Sequence, residues 1–481
     1  MLEIVKNIQG KQLEFTHFFG FFSDEAKPFV SCNCQAKLEK YFTHKNVKRE
    51  FGEITPLLLT EEEIPSHIIL VCLGKKEEYS FEKFKEILIT LSTKLEEKSM
   101  INVDSFARNL DVKEVLKKMV LSFQFYNYQY NECKSEKKPL DRSVFFAVDE
   151  DMNDLIEEYY VLGSAINNAR DLVNKPYNYL SALDLANYAE SLANSQPQIA
   201  VKVFQKPELE AMKMGAFLGV NKGSFDEPKL IYLTYQGNSD SSDYIGLIGK
   251  GVMYDTGGYS IKSSMNNMKD DMGGAATVLG VFEAIAKNGL KVNVKGVIAA
   301  TDNRIDGKAT LPDDVLTSMN GKTIEVVSTD AEGRLTLADA LTFIQKEGCK
   351  TLIDLATLTG SVVAALGEYI TGIFGNDQAL VDSVIQSGKV EDEDLWQLPI
   401  TGYVRKMVRS SKVADLTNSA GRLMGASSAA AFLEEFIEKG NRWVHLDIAG
   451  TAFHTSPSYQ EFYGASGVMV KTLYQLLKNN I

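Results

Sequence analysis

The segment Ser328-Thr329-Asp330-Ala331-Glu332-Gly333-Arg334 sets two carboxylates and a guanidinium at alternate positions, directly after the run Ile324-Glu325-Val326-Val327. Alternate residues of an extended segment point the same way, so this spacing predicts that Asp330, Glu332 and Arg334 converge at one end of a strand. Like charges held together repel unless something positive lies between them, and a cation is the natural counterpart. A lone Asp-x-Glu is more often a solvated acidic turn, but here a second acidic cluster stands upstream. It follows the run Tyr244-Ile245-Gly246-Leu247-Ile248 and comprises Gly249-Lys250-Gly251, Asp255-Thr256-Gly257-Gly258, Lys262 and Asp270-Asp271-Met272-Gly273-Gly274-Ala275-Ala276. The last of these opens an apparent helix. The glycines let the backbone bend and approach its neighbours closely. Both clusters read as loops leaving the C-terminal ends of buried strands, the edge at which open parallel α/β sheets bind ligands.

The elements that must position these groups alternate along the second part of the chain. Beyond Asn174-Lys175-Pro176, strands are predicted at Leu230–Leu233, before Lys250, at Val292–Ile298, before Asp330, at Thr351–Leu355 and at Val444–Ile448. Helices are expected at 274–288, 336–347 and 427–438. Such alternation implies a mixed, largely parallel sheet covered by helices, an α/β fold. Residues 1–150 form a smaller α/β domain, with a strand at Ile68–Cys72, helices from Phe81 and over Val120–Tyr130, a charged loop at 132–139 and a strand at Ser143–Val148. In the second helix Phe123, Tyr126 and Tyr130 recur at helical spacing, which reads as core packing. Residues 151–173 are a helical connector, and 174–481 carry the chemistry. At 481 residues the chain is too long for one ordinary core, and two domains are expected.

Composition excludes several classes. A net charge of −13 argues against a nucleic-acid surface, which needs a basic footprint. No apolar run approaches the roughly 20 residues that span a bilayer. The start, Met1-Leu2-Glu3-Ile4-Val5-Lys6, lacks the pattern of a signal peptide, so the cytoplasm is expected. Five cysteines, among them the isolated pair Cys32 and Cys34, give no disulfide framework. The five histidines, His17, His44, His67, His445 and His454, show no zinc-binding spacing. A metal site must then be built mainly from carboxylates, which suits hard or borderline divalent ions.

The ordered motifs resemble one known family. Gly249-Lys250-Gly251 through Tyr254-Asp255-Thr256-Gly257-Gly258, Met268-Lys269 with Asp271-Met272-Gly273-Gly274-Ala275-Ala276, and Thr329-Asp330-Ala331-Glu332-Gly333-Arg334-Leu335 resemble the signature blocks of the leucyl aminopeptidases, the cytosol aminopeptidase family of two-metal peptidases. Flanking matches are Ala169–Asn174, Leu311–Met319, Asp354–Gly360, His445–Ala452 and Gly464–Gly467, so the resemblance runs in order from about 165 to 475.

The resemblance implies a metal-dependent aminopeptidase that hydrolyses N-terminal residues, Leu, Met and other apolar ones, from peptides through a two-metal-bound water. It implies two divalent ions per subunit, Zn2+ or Mn2+. Asp255 and Glu332 would bridge them, Asp330 would complete one site, and Lys250 and Asp271 the other. Adjacent divalent cations would depress the pKa of Lys250 enough to free its lone pair. Lys262 and Arg334 are the implied catalytic groups: Lys262 stabilises the tetrahedral diolate, and Arg334 holds a bicarbonate that acts as general base. The free α-amine of the substrate would meet the Lys250–Asp271 metal. Met268, Thr357, Gly360, Ala449 and Ala452 match the family's first side-chain pocket. A homohexamer with no membrane partner is implied. Three departures stand out: Ser263–Asn267 is shorter than the common family version, Ser328 replaces an Asn, and Arg304 replaces an apolar residue. Another two-metal hydrolase, such as a phosphatase, is disfavoured by the Lys262 and Arg334 pair. A DNA-binding regulator of the same family is disfavoured by the acidic balance.

Overall fold

The strand Ile245–Asp255 is the axis on which the candidate site is built. Its glycines leave room for helices on both faces. A Cβ on Gly249 would lie 2.8 Å from Ala275, and one on Gly246 would lie 3.1 Å from Ile344. Positions 246 and 249 face opposite ways on a strand, so helices Gly273–Lys287 and Gly333–Lys346 cover opposite faces of the sheet. Burial on both sides is the condition of a central parallel strand. The computed structural model describes residues 2–5, 14–27, 39, 42, 47–58, 67–137, 142–421, 423–455 and 462–479. Cys32, Cys34, His44 and the end of the 132–139 loop lie outside them.

Two compact units divide the chain, Met1–Asn167 and Asn168–Ile481, and the division falls within the helix Asn153–Asn174. In the first unit a six-stranded sheet runs in the order Leu2–Val5, Arg142–Ala147, Lys98–Asn102, Thr16–Phe21, His67–Cys72, Ile54–Leu58. All neighbours are parallel except the last pair. Pro56 sits in that edge strand, where a missing N–H is tolerated. The helices Phe81–Lys94 and Val112–Tyr126 begin at Ser80 and Asp111, whose side chains accept from the amides of Lys83 and Glu114. The second helix stops short of the predicted Tyr130. Asn127 closes it, donating from its Nδ2 to Phe123 O at 2.9 Å, so only Phe123 of the predicted trio is fully buried.

In the second unit an eight-stranded sheet runs Asp394–Gln397, Ile370–Gly375, Arg442–Asp447, Thr351–Ala356, Ile245–Asp255, Asn293–Asn303, Lys229–Gln236, Ile199–Phe204. The middle four strands are parallel. Antiparallel neighbours flank them on both sides, and Asp394–Gln397 pairs parallel with Ile370–Gly375 at one edge. This is the mixed, largely parallel α/β sheet expected. One predicted strand lies elsewhere. The run before Asp330 forms only Thr323–Glu325, in a separate small sheet with Val315–Thr317 and Leu416–Thr417. Among the described residues, no helix is long and apolar enough to cross a membrane.

The helix Gly333–Lys346 is anchored from its middle. Asp339, fully buried, accepts from Phe217 N at 2.9 Å and Met319 N at 2.7 Å. It thereby caps the short helix Gly215–Asn221, whose own N-cap residue, Met214, makes no side-chain cap. Burial pushes the Asp339 carboxyl up to about 7 against the pull of those amides. The folded chain keeps a proton that an unfolded Asp releases near ~4, so this group's contribution is full below that pH and is lost as pH rises through about 7. Asp339→Ala should flatten that slope. It should also destabilise by about 2–6 kcal/mol, at ~1–3 per orphaned amide. Urea denaturation at acid and neutral pH reads both effects, and a wild-type midpoint would refute the anchor.

Candidate metal centre

Asp255 ends the strand Ile245–Asp255, and Lys250 lies within it. The expectation of a loop starting at Gly249 therefore fails: the glycines continue the strand, Gly249 pressed against helix backbone and Gly251 against the neighbouring strand. Asp271 lies in the 3-10 turn Met268–Met272 that leads into helix Gly273–Lys287. Asp330 lies in the turn ahead of the next helix, and Glu332 is that helix's N-cap residue with helical backbone (φ −74, ψ −38). Arg334 belongs to the first helical turn. The three side chains are thus not alternate positions of an extended strand. Asp330 and Glu332 converge because the chain turns into a helix there, and Arg334 is carried to another set of partners.

Asp255, Asp330 and Glu332 each offer an oxygen, all within 4.8 Å of one another, a spacing one cation can bridge. Lys262 lies across two of these groups, with Nζ 2.7 Å from Asp255 Oδ2 and 2.6 Å from Asp330 Oδ1. Lys250 serves the other side, with Nζ 2.6 Å from Asp271 Oδ1 and 3.0 Å from Glu332 Oε1, and it donates to Thr357 O at 2.9 Å. All five residues of the expected ligand set thus share one cluster.

Four carboxylates against two ammonium groups leave an excess of negative charge in a buried place. Burial pushes Asp255 up to about 6, with Glu332 adding to the rise and Lys262 and Lys250 opposing it. Burial likewise raises Asp271, whose Oδ1 meets Lys250 and Thr357 Oγ1 while its Oδ2 has no partner. Burial works against ionisation of Glu332 too, but Lys250 and Lys262 outweigh it and hold that carboxyl below its ordinary value. Burial opposes both lysine charges as well, and the carboxylates overcome it, so each ammonium is raised. The buried Glu332 Oε2 is also orphaned. Unpaired buried oxygens on residues of a cluster of hard donors fit divalent cations.

The loop geometry depends on two glycines. Gly257 has φ +84, and a Cβ there would lie 2.8 Å from Asp330 Oδ1. Gly333 faces Lys250 so closely that a Cβ would fall 2.6 Å from Nζ. Arg334 is buried, donates from Nη1 to Asn418 O at 2.8 Å and leaves its Nε unpaired. Burial lowers it to about 10, with Glu332 and Asp447 opposing, and at that value it remains a cation at neutral pH.

Of the residues expected in the pocket, Thr357 and Ala452 meet at Gly273, where a Cβ would lie 3.4 Å from Thr357 Cγ2 and 3.3 Å from Ala452 Cβ. Met268 opens the 3-10 turn and is half-buried. A Cβ on Gly360 would meet no atom within 4 Å. Ala449 is fastened through its amide to Asp447 Oδ1 at 3.3 Å. That same carboxylate accepts from Leu358 N, Thr359 N and Thr359 Oγ1.

Sequence reasoning missed Asp447, Asn303 and Asn418. Asn303 donates from Nδ2 to Asp255 Oδ1 and to Thr329 O, both at 2.9 Å. It is Asp255's register partner on the neighbouring parallel strand. The signal was its place at a strand end, but register is not written in a single sequence. The departing residue Arg304 pairs with Asp302 at 2.7 Å and stacks on Tyr177 at 4.2 Å and Tyr254 at 5.6 Å. Tyr254 donates to Met265 O at 3.0 Å, inside the short segment between Lys262 and Met268.

Carboxylates and lysines gathered around one central strand and the N-terminal approaches of the two helices that cover it define a metal-dependent hydrolase of the α/β class. The catalytic-domain profile of the cytosol aminopeptidase family matches residues 167–474, and the family's N-terminal-domain profile matches residues 22–137. The chain belongs to the cytosol aminopeptidase family, and is a metallo-aminopeptidase. The probable cytosol aminopeptidase of Bacillus licheniformis is 43% identical over 419 residues, 84% of each chain. Two structures of the bottromycin maturation enzyme BotP, the second in complex with Mn, show TM-scores of 0.84 at 26% and 28% identity, each covering 97% of this chain and 99% of theirs.

Proposed function

We propose that this enzyme releases N-terminal apolar residues, Leu and Met among them, from peptides, using two divalent ions held by Lys250, Asp255, Asp271, Asp330 and Glu332. The observation that carries the reading is the continuous cluster in which both lysines cross-link four carboxylates while Asp271 Oδ2 and Glu332 Oε2 stay unpaired. Zn2+ or Mn2+ suits the donor set, and the Mn complex of BotP supports the second. When bound, such ions supply an acidified water and polarise the scissile carbonyl.

The chain's own groups do the rest. Lys262, partly exposed, presents a cation to the oxyanion that develops on the substrate. Arg334 keeps an unpaired Nε–H in a buried place, a donor suited to a small planar anion such as bicarbonate, which would take the proton that arginine itself cannot. Thr357, Gly360, Ala449, Ala452 and Met268 receive the first side chain, and a flexible Met adapts to unbranched apolar groups. The free α-amine docks on the Lys250–Asp271 side. The reading extends to a homohexamer in the cytoplasm, supported by the family resemblance.

A panel of peptides with free and N-acetylated Leu, Met, Ala, Phe, Arg and Asp termini tests the reading. Free Leu and Met peptides should be cut, with modest discrimination among apolar residues, since one methylene is worth only ~1–3 kcal/mol. Acetylated peptides should resist. Efficient cleavage of an acetylated peptide would remove the amine from recognition, and a strict demand for Asp would remove the pocket assignment.

A further inference from the structure

The segment that carries Asp330 and Glu332 is held at Thr329 by Asn303 and Ser260, and around that point, at Val327, Ser328 and Ala331, by one carboxamide from far along the chain. Asn418 is fully buried and follows Leu416–Thr417, which pairs parallel with Thr323–Glu325. The ladder ends at the pair Glu325 and Thr417, with Asn418 N still donating to Glu325 O at 3.0 Å. Beyond that point the side chain replaces the missing strand. Asn418 Oδ1 accepts from Val327 N at 2.8 Å and Ser328 N at 3.2 Å. Its Nδ2 donates to Ser328 O at 2.7 Å and Ala331 O at 3.4 Å. Its main-chain carbonyl accepts from Arg334 Nη1 at 2.8 Å. A primary amide offers two acceptor sites and two donors, and all four are used. An Asp keeps the acceptors and loses the donors, Gln is a methylene too long, and Ser or Ala lacks the group.

We propose that Asn418 is a positioning residue of the metal centre, whose carboxamide sets the path of residues 327–331 so that Asp330 and Glu332 face Asp255, and whose carbonyl aims Arg334. This rests on the reading that Asp330 and Glu332 hold metal. Partners that orient ligands in this way are worth 10–100-fold in metal affinity or activity.

The test is Mn2+ binding by metal-free full-length protein, followed by calorimetry, for the wild type, Asn418→Ala, Asn418→Asp and Asn376→Ala. Asn376, exposed where Asn418 is buried, is the control for loss of a main-chain clamp away from the metal. It clamps main chain in the same manner, donating to Asn441 O at 3.0 Å and accepting from Trp443 N at 2.8 Å, but touches no candidate ligand. Asn418→Ala should weaken Mn2+ binding about 10–100-fold. At saturating Mn2+ its kcat should fall while KM stays within about threefold. Asn418→Asp should lie between it and the wild type. Asn376→Ala should lose stability yet bind Mn2+ as the wild type does. Should Asn418→Ala not fold, Asn418→Asp is read in the same way. Wild-type Mn2+ affinity in the Asn418 variants, or an equal loss in Asn376→Ala, overturns the proposal. A wild-type protein that takes up no Mn2+ sinks the functional reading and this inference with it.

Discussion

Lys262→Ala is expected to lower kcat by about 10²–10³, the loss seen when a comparable oxyanion donor is removed. The ammonium lies between Asp255 Oδ2 and Asp330 Oδ1, and its side chain is 21% exposed, so it borders both the carboxylate cluster and the open side a substrate would approach from. Burial opposes its charge, yet the flanking carboxylates hold it protonated, so it meets developing negative charge as a full cation. Lys250 is enclosed by Asp271, Glu332 and Thr357 and cannot take over. The effect should fall on kcat more than KM, because the charge is needed as the tetrahedral species forms. Metal content should remain at the wild-type level when assayed at saturating Mn2+. A variant with normal kcat would take Lys262 out of the mechanism.

Exhaustive chelation should abolish activity, and Mn2+, Zn2+ or Co2+ should restore it. A metal that polarises a carbonyl and acidifies water is worth several kcal/mol, which at ~1.4 kcal/mol per tenfold is a loss on the order of 10³ or more. Restoration should also be visible without substrate. Ligands that bind only the folded chain stabilise it by ~2.7 kcal/mol at a hundred times their Kd, so added Mn2+ should raise the thermal midpoint of the stripped protein. Replacing Glu332 with Gln should blunt that rise, because Glu332 Oε1 meets Lys250 while the orphaned Oε2 stands by for a cation. Full activity in protein shown to be free of metal would defeat the metallo-enzyme reading at this centre.

Much of this site could be read from residue order because its chemistry is local. Lys250 and Asp255 lie on one strand, Asp271 in the 3-10 turn before the next helix, and Asp330 and Glu332 at the turn into another, so the short motifs that carry the family resemblance hold all five, although residue chemistry alone would not have pointed to Lys250 as a ligand. The geometry inferred for the last pair was wrong because alternation means convergence only in extended chain, and here Glu332 is already helical. What stayed hidden is whatever depends on register or on distant segments. Asn303 reaches Asp255 only because two parallel strands align at that pair. Asn418 reaches Ser328 across an interval with no periodic signal. Asp447 was legible as part of a motif, but not as the carboxylate that fastens both segments proposed to line the pocket. The sheet itself followed from the alternation of strands and helices. The small sheet beside it did not, since strands of two or three residues leave no pattern to detect.

Positions 250 and 333 occupy one shared volume. Any side chain at 333 would fall within 2.6 Å of the Lys250 ammonium, which three buried oxygens hold in place. An alanine at 333 arriving first would push that ammonium off Asp271 and Glu332 and leave two buried carboxylates without their shared cation. A shorter residue at 250 arriving first would empty the space that an alanine could then fill. Substitution here therefore has a direction. A descendant of this chain that gave up its chemistry would change at 250 before it changed at 333, and a glycine retained at 333 beside a shortened residue 250 would mark a copy caught midway.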